Sequence, residues 1–255
     1  MNKQYIKNIF IKIYMSHIHF LTVYQHLEKK RLGAECDGGY VFGDNIGSYD
    51  CYISAGVSDE ESFSRDFIKE NNLSKDNCFA FDGTITDYPY EYTKDITFIK
   101  KNIGPEETDT TSNLKILSNN YQDIFLKMDI EGGEYPWIES VTSDELNHYK
   151  QIVIEFHGIN DDSWNTSYST KTKCLQKLAN THYLIHAHGN NWANCHNINN
   201  VIIPDVIELT YIRKDISNNP IFNTTPLPIQ NLDFKNNKTN PEIILNHPPF
   251  TFYTV

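Results

Sequence analysis

One stretch decides the fold of this chain: Asp123-Ile124-Phe125-Leu126-Lys127-Met128-Asp129-Ile130-Glu131-Gly132-Gly133-Glu134. It begins as an apolar run of strand length, which is typical of a buried parallel strand. Ligands of open α/β sheets bind just beyond the carboxyl ends of such strands. We therefore expect Asp129, Glu131 and Glu134 at a site rather than in a core. The alternative is a solvated acidic loop with Gly132-Gly133 as its turn residues.

Further strand-length runs precede and follow this stretch, with helical spacing between several of them. These are Tyr49–Ser54, Cys78–Phe81, Ile96–Ile99, Gln151–His157, Tyr183–Ala187 and Val206–Ile212. The last run alternates, as a late antiparallel strand would. Seven strands interleaved with helices predict an α/β fold, with a doubly wound, mostly parallel seven-stranded sheet and helices on both faces.

The first two strands carry small or acidic residues at their ends. A small-residue turn at Gly56 follows the first strand, and Ser58 with Glu61 predicts a capping box for the next helix. Asp82 closes the second strand, where a carboxylate can accept hydrogen bonds from ribose hydroxyls. Since no GxGxxG is present, an ordinary tight turn is the alternative.

Three regions are predicted: an amphipathic helical extension over 1–30, one domain over 31–214, and an extended Pro- and Asn-rich tail over 215–255. Apolar residues recur at helical spacing from Ile6 to Tyr14, but charged residues interrupt the run, so neither a transmembrane segment nor a signal peptide is expected. We expect this helix to pack on the domain or a partner, with a membrane-surface helix as the alternative. The tail is expected on the surface or exchanged with a neighbour, and partly mobile. Both ends are candidate surfaces for a homo-oligomer.

Composition narrows the function. The 255 residues carry a formal net charge of -11, which argues against nucleic-acid binding and favours a cationic cofactor or metal. The five cysteines form no CxxC pair, a pattern typical of reduced thiols in a cytoplasmic protein.

His157 is the leading candidate proton acceptor, because its ordinary pKa lies nearest neutrality. Glu155 shares its strand face, and either Glu155 or Asp129 could orient the imidazole. Asp129 and Glu155 could also hold Mg²⁺ or another divalent cation through oxygen ligands. A nitrogen- or sulfur-rich set for zinc is not seen.

An ordered set of motifs between Arg31 and Lys214 resembles the FkbM-type methyltransferases. The Asp-Ile-Glu-Gly-x-Glu block is its most specific member. The motifs are Arg31-Leu32-Gly33, Asp37-Gly38-Gly39-Tyr40-Val41, Ser54-Ala55-Gly56-Val57-Ser58 with Glu61-Ser62-Phe63, Phe81-Asp82-Gly83-Thr84, Leu126–Glu134 and Glu155-Phe156-His157.

The resemblance implies a Rossmann-like, S-adenosylmethionine-dependent O-methyltransferase. Its acceptor would be a hydroxyl of a glycan, a nucleotide sugar or a similar small polyhydroxyl compound. The candidate catalytic residues for this reaction are His157, Asp129 and Glu155. The implied cofactor contacts are Ser54, Ala55 and Gly56 near the methionine part, Asp82 with Gly83 near the ribose, and Asp129 near the transferred methyl. The single glycine at the first turn departs from the usual pattern of several.

Two other functions stay open. One is a metal-dependent hydrolase that uses Asp129, Glu131, Glu155 and His157. The other is a non-catalytic partner subunit with the same fold. Whether Glu131 and Glu134 are catalytic or structural is also open.

Overall fold

The computed structural model describes residues 18–26, 28–89, 94–198 and 201–253, and one seven-stranded sheet dominates it. In chain order the strands are β1 (Lys29–Leu32), β2 (Tyr40–Gly43), β3 (Cys51–Ala55), β4 (Cys78–Phe81), β5 (Thr97–Ile99), β6 (Asn102–Ile103), β7 (Thr111–Ser112), β8 (Ile124–Met128), β9 (Tyr149–His157), β10 (His182–Gly189), β11 (Cys195–Ile198), β12 (Val201–Pro204) and β13 (Val206–Arg213). The main sheet has the order β10-β13-β9-β8-β3-β4-β5. All seven strands predicted from the sequence are present in it.

The sheet is mixed, so the prediction of a doubly wound, mostly parallel sheet with helices on both faces is wrong. Four of its six strand pairings are parallel, but β13 runs antiparallel to both β9 and β10. Helix accounts for only 21% of the described residues and strand for 28%. The physical reason is the connection from β10 to β13, which is the hairpin β11–β12. Without a crossover helix, the chain re-enters the sheet in the opposite direction. The antiparallel direction expected for Val206–Ile212 is confirmed.

One face of the sheet carries most of the described helices, and the other is covered by one described helix together with the strand β2, which is not the even cover of a doubly wound fold. Among the described residues the α-helices are α1 (Ser62–Glu70), α2 (Lys115–Asn120), α3 (Glu134–Ser140), α4 (Ser143–Leu146) and α5 (Tyr168–Thr181). Residues of α3, α4 and α5 share one apolar cluster, while α1 and β2 contribute to the cluster on the other face. Consecutive residues of β3 belong to opposite clusters: Tyr52 lies in the same cluster as Phe67 of α1, and Ile53 lies in the same cluster as Trp137 of α3. Burying each such large side chain contributes about 1.5–3 kcal/mol, so both clusters stabilise β3 in the middle of the sheet.

The segment after β13 is part of the same core. Leu227, Leu245 and Phe250 are fully buried in the larger apolar cluster. His186 of β10 lies 2.8 Å from Asp233, which ties this segment to the edge of the sheet. The irregular C-terminal segment therefore lies along the sheet as a packed layer.

The predicted N-terminal helix, with its apolar residues from Ile6 to Tyr14, lies outside the described residues. Just after it, His19–Leu21 forms a short 3-10 turn, and Val23 makes a parallel bridge to Leu184. In the described ranges, no helix combines the length and the apolar character needed to cross a membrane.

Candidate functional site

The carboxyl ends of β3, β4 and β8 open onto one cleft of about 600 Å³. Three of the predicted cofactor residues, Gly56, Asp82 and Asp129, line it. Ser54 and Ala55 are instead buried within β3 and do not line the cleft. Gly83 is also outside the lining. Six of the lining side chains are acidic: Asp37, Asp59, Glu60, Asp82, Asp129 and Glu131.

Gly56 is required by a close approach between two strand ends. Its φ is +81°, and a β-carbon there would lie 1.6 Å from the carbonyl oxygen of Asp129. The Asp129 amide donates a hydrogen bond of 2.9 Å to Ala55 in return. The turn after β3 and the end of β8 therefore form one rigid floor for the cleft.

Asp82 organises that floor through four hydrogen bonds. Its Oδ2 accepts from the backbone amides of Val57 and Ser58, both at 3.0 Å. Its Oδ1 accepts from the amide and the hydroxyl of Thr84, at 2.7 and 2.6 Å. Burial raises the pKa of this carboxyl, but the hydrogen bonds outweigh burial and hold it below its usual range. Asp82 lies where a ribose-binding acid is expected. A ribose there would share the carboxylate oxygens of Asp82, which already accept hydrogen bonds from the protein.

His157, at the end of β9, lies within a ring of carboxylates. Its Nδ1 lies 3.0 Å from Glu134 Oε1, and since a carboxylate only accepts, the Nδ1 proton points there. Its Nε2 lies 3.4 Å from Glu131 Oε2. The same atom is 3.8 Å from both Asp129 Oδ1 and Glu155 Oε1. The structure thus brings all three predicted catalytic residues together, and Glu134 is the group that orients the imidazole.

The carboxyl groups around His157 repel one another unless a positive charge lies among them. Burial alone lowers the pKa of His157, but the hydrogen bond that its Nδ1 donates to Glu134 and the nearby carboxylates raise the pKa above its usual range overall. Burial, followed by the charge of Asp129, raises the pKa of Glu155 well above normal. One Glu155 oxygen accepts from Asn190 at 2.8 Å, and the other has no partner among the described residues. A proton, a metal ion or a cationic ligand would relieve the repulsion here.

Glu134 both closes the turn after β8 and contacts the candidate base His157. It is fully buried at the start of α3, and its Oε1 accepts from the amides of Ile130 and Gly132 at 3.3 and 3.2 Å. The same oxygen faces His157. One carboxylate therefore closes the turn after β8 and couples it to β9.

Three side chains could hold a metal ion. Asp129, Glu131 and His157 each offer a ligand atom, and these atoms lie within 4.8 Å of one another. Of the two metal ligands predicted from the sequence, Asp129 belongs to this group and Glu155 does not, although Glu155 adjoins His157.

Three further side chains border the site and were missed in the sequence. The Tyr40 hydroxyl donates to Asp129 Oδ2 at 3.1 Å. Lys127 donates to the Gly56 carbonyl at 2.6 Å, and the only sequence signal for it was a charge inside an apolar strand. Trp164 is 44% exposed, and its ring lies 5.3 Å from that of His157.

No family model and no curated protein sequence matches this chain. The likeness to FkbM-type methyltransferases therefore rests on the motifs quoted above and on nothing else.

Proposed function

We propose that this protein is an S-adenosylmethionine-dependent O-methyltransferase that acts on a hydroxyl of a small polyhydroxyl acceptor. One observation carries the proposal. Gly56, Asp82 and Asp129, from three separate strand ends, line a single cleft, and His157 lies at the Asp129 end of that cleft. A cofactor cleft next to a candidate base is the arrangement that methyl transfer to an alcohol needs.

The cleft is compatible with such a cofactor. Its volume of about 600 Å³ is in the range of small-molecule sites. Its acidic lining would stabilise a sulfonium cation. When bound, the cofactor would supply a methyl group on a positively charged sulfur. Gly56 and Asp129 would border its methionine part, and Asp82 its ribose.

The protein's own contribution is to remove the hydroxyl proton. Neutral His157 would accept that proton at Nε2, because Nδ1 is held as a donor by Glu134. Asp129 is held in turn by the Tyr40 hydroxyl, so its second oxygen stays directed at the imidazole. The imidazolium formed would be stabilised by the surrounding carboxylates.

The charge of the site also bears on the acceptor. Asp129, Glu131 and Glu155 surround Nε2, so an anionic acceptor such as a nucleotide sugar would be repelled. An uncharged or cationic polyol suits the site better. The exposed face of Trp164 offers it an aromatic contact surface beside His157.

A cytoplasmic location and the absence of nucleic-acid partners are part of the same proposal. In its support, all five cysteines are free and the net charge is -11. Self-association through either end of the chain also remains a proposal.

Thermal unfolding with S-adenosylhomocysteine tests the proposal. Ligand at 100 times its Kd adds about 2.7 kcal/mol of stability, a rise in Tm of roughly 5–10 °C for a domain of this size. The variant His157→Ala should keep that rise and lose methyl transfer to sugar acceptors. If millimolar ligand produces no rise in Tm, the proposal is wrong.

A metal-dependent hydrolase is the second candidate, favoured by the grouping of Asp129, Glu131 and His157. Calorimetric titration with Mg²⁺, Mn²⁺ and Zn²⁺ distinguishes the two functions. Cation binding that Asp129→Asn abolishes, in a protein that does not bind S-adenosylhomocysteine, would favour the hydrolase.

A further inference from the structure

Lys127 is the one basic side chain among those that line the acidic cleft. It lies in β8, two residues before Asp129, so both side chains project from the same face of the strand. Only 5% of Lys127 is exposed, so its ammonium group is held at the floor of the cleft. A buried lysine normally has an evident partner for its charge.

The nearest carboxylate does not fully use that charge. Glu61 Oε1 lies 3.9 Å from Lys127 Nζ, which is beyond hydrogen-bond distance. Both Glu61 oxygens already accept shorter bonds, from the Ser54 hydroxyl at 2.8 Å and from the Tyr88 hydroxyl at 2.9 Å.

The Lys127 ammonium instead points to the Gly56 turn. It donates to the Gly56 carbonyl at 2.6 Å and lies 5.5 Å from the centre of the Tyr40 ring. An ammonium has three N–H donors, and this carbonyl is its one hydrogen-bond acceptor among the described residues. The group therefore keeps donor capacity for a ligand at the turn.

We propose that Lys127 forms a carboxylate subsite that receives the α-carboxylate of the amino-acid part of the cofactor. This inference rests on the proposed function. The six acidic side chains that line the cleft would repel a carboxylate, so its favourable position is beside the single cation. A charge-assisted N–H···O bond from Lys127 would fix that end of the ligand against the Gly56 turn. Asp129 on the same strand face would then adjoin the cationic part of the ligand.

The competing role for Lys127 is structural: its charge would compensate buried Glu61 and its bond would brace the turn. Two ligands that differ only in the carboxylate separate these roles. S-adenosylhomocysteine has both the amino and the carboxylate group, whereas its decarboxylated analogue keeps only the amino group. A structural lysine would affect both ligands alike.

The experiment measures both dissociation constants by isothermal titration calorimetry, for the wild-type protein and for Lys127→Met. We expect the variant to bind S-adenosylhomocysteine about 10- to 100-fold more weakly, because a hydrogen bond to a charged group is lost. Its affinity for the decarboxylated analogue should change less than about threefold, within the context dependence of such a contact. Lys127→Arg should restore most of the loss.

The matched control is Lys177→Met. Lys177 also donates to backbone carbonyls, those of Ile138, Glu139 and Val141, but it is not among the residues that line the cleft. This variant should bind both ligands as the wild type does. If Lys127→Met does not fold, Lys127→Gln, which keeps a donor for the Gly56 carbonyl, replaces it.

Three results would overturn the inference. Equal losses for both ligands would make Lys127 structural, and an unchanged affinity for S-adenosylhomocysteine would put the carboxylate elsewhere. A wild-type protein that binds neither ligand would instead reject the proposed cofactor, and the subsite with it.

Discussion

Replacing Glu134 is the sharpest test of the site, because one buried carboxylate closes the turn after β8 and orients the imidazole of β9. Glu134→Ala would remove the acceptor for the amides of Ile130 and Gly132 and for His157 Nδ1. Breaking a buried charged pair costs about 3–5 kcal/mol. For a domain of this size, Tm should fall by roughly 6–20 °C.

Glu134→Gln separates charge from hydrogen bonding, because its amide oxygen can still accept from the same donors. It should cost only about 1 kcal/mol of unfolding free energy. It should nevertheless lower the pKa of His157, because the negative charge that raises it is gone. Urea unfolding followed by tryptophan fluorescence measures the unfolding free energy of both variants, with Glu139→Ala, an exposed position of the same helix, as control. If Glu134→Ala loses less than about 1 kcal/mol, Glu134 does not couple the two strand ends.

Three further predictions concern pH and backbone geometry. Methyl transfer with EDTA present should increase as pH rises through the raised pKa of His157, and a rate that falls with pH would exclude it as the base. Burial lowers the pKa of His188, but Glu208 and a second carboxylate raise it to about 10. The pKa of His188 is higher in the folded than in the unfolded protein, so its contribution to the free energy of unfolding is complete below about pH 6.5 and is lost as the pH rises to about 10. His188→Gln should abolish this pH dependence of the free energy of unfolding, measured by chemical unfolding. Gly56→Ala should prevent folding or greatly lower Tm, because its β-carbon would overlap a backbone carbonyl. Gly47→Ala, with a similar φ of +89° but only a lysine ammonium nearby, should cost far less.

The strands of the main sheet could be predicted because each is a short apolar run bounded by turn residues. The antiparallel direction of β13 could also be expected from its alternation, but the β11–β12 hairpin that produces it could not, because the hairpin has little apolar alternation: Cys195–Ile198 is largely exposed. The capping box expected from Ser58 and Glu61 is also absent. Ser58 has a φ of +50°, and the Glu61 carboxylate accepts a hydrogen bond from the Ser54 hydroxyl of β3 instead of one within a capping box. Tertiary hydrogen bonds outweigh the local capping preference here.

The grouping of Asp129 with His157 could be expected, because adjacent parallel strands end at the same edge of a sheet. The partner of His157 could not, because the Gly132-Gly133 turn signal does not show that the turn brings Glu134 to the end of β9. Tyr40 and Trp164 come from elements distant in sequence; Tyr40 belongs to the Asp37–Val41 motif, but nothing in that motif indicates its contact with Asp129, and Trp164 belongs to no quoted motif. The polar residues at strand ends were therefore predictable, and the side chains that hold and border them were not.

The charge balance of the site connects its candidate roles. The carboxyl groups of Asp129, Glu131 and Glu155 surround one nitrogen, and a positive charge at that point would stabilise their ionised forms. The raised pKa of His157 favours a proton there when no ligand is bound, but a protonated imidazole cannot act as a base. A cation brought into the cleft would lower the proton affinity of His157 and so release the base when the ligand arrives. The acidic surroundings that raise the pKa of His157 in the protein without ligand are thus the same feature that would let a cationic cofactor activate His157 as a base.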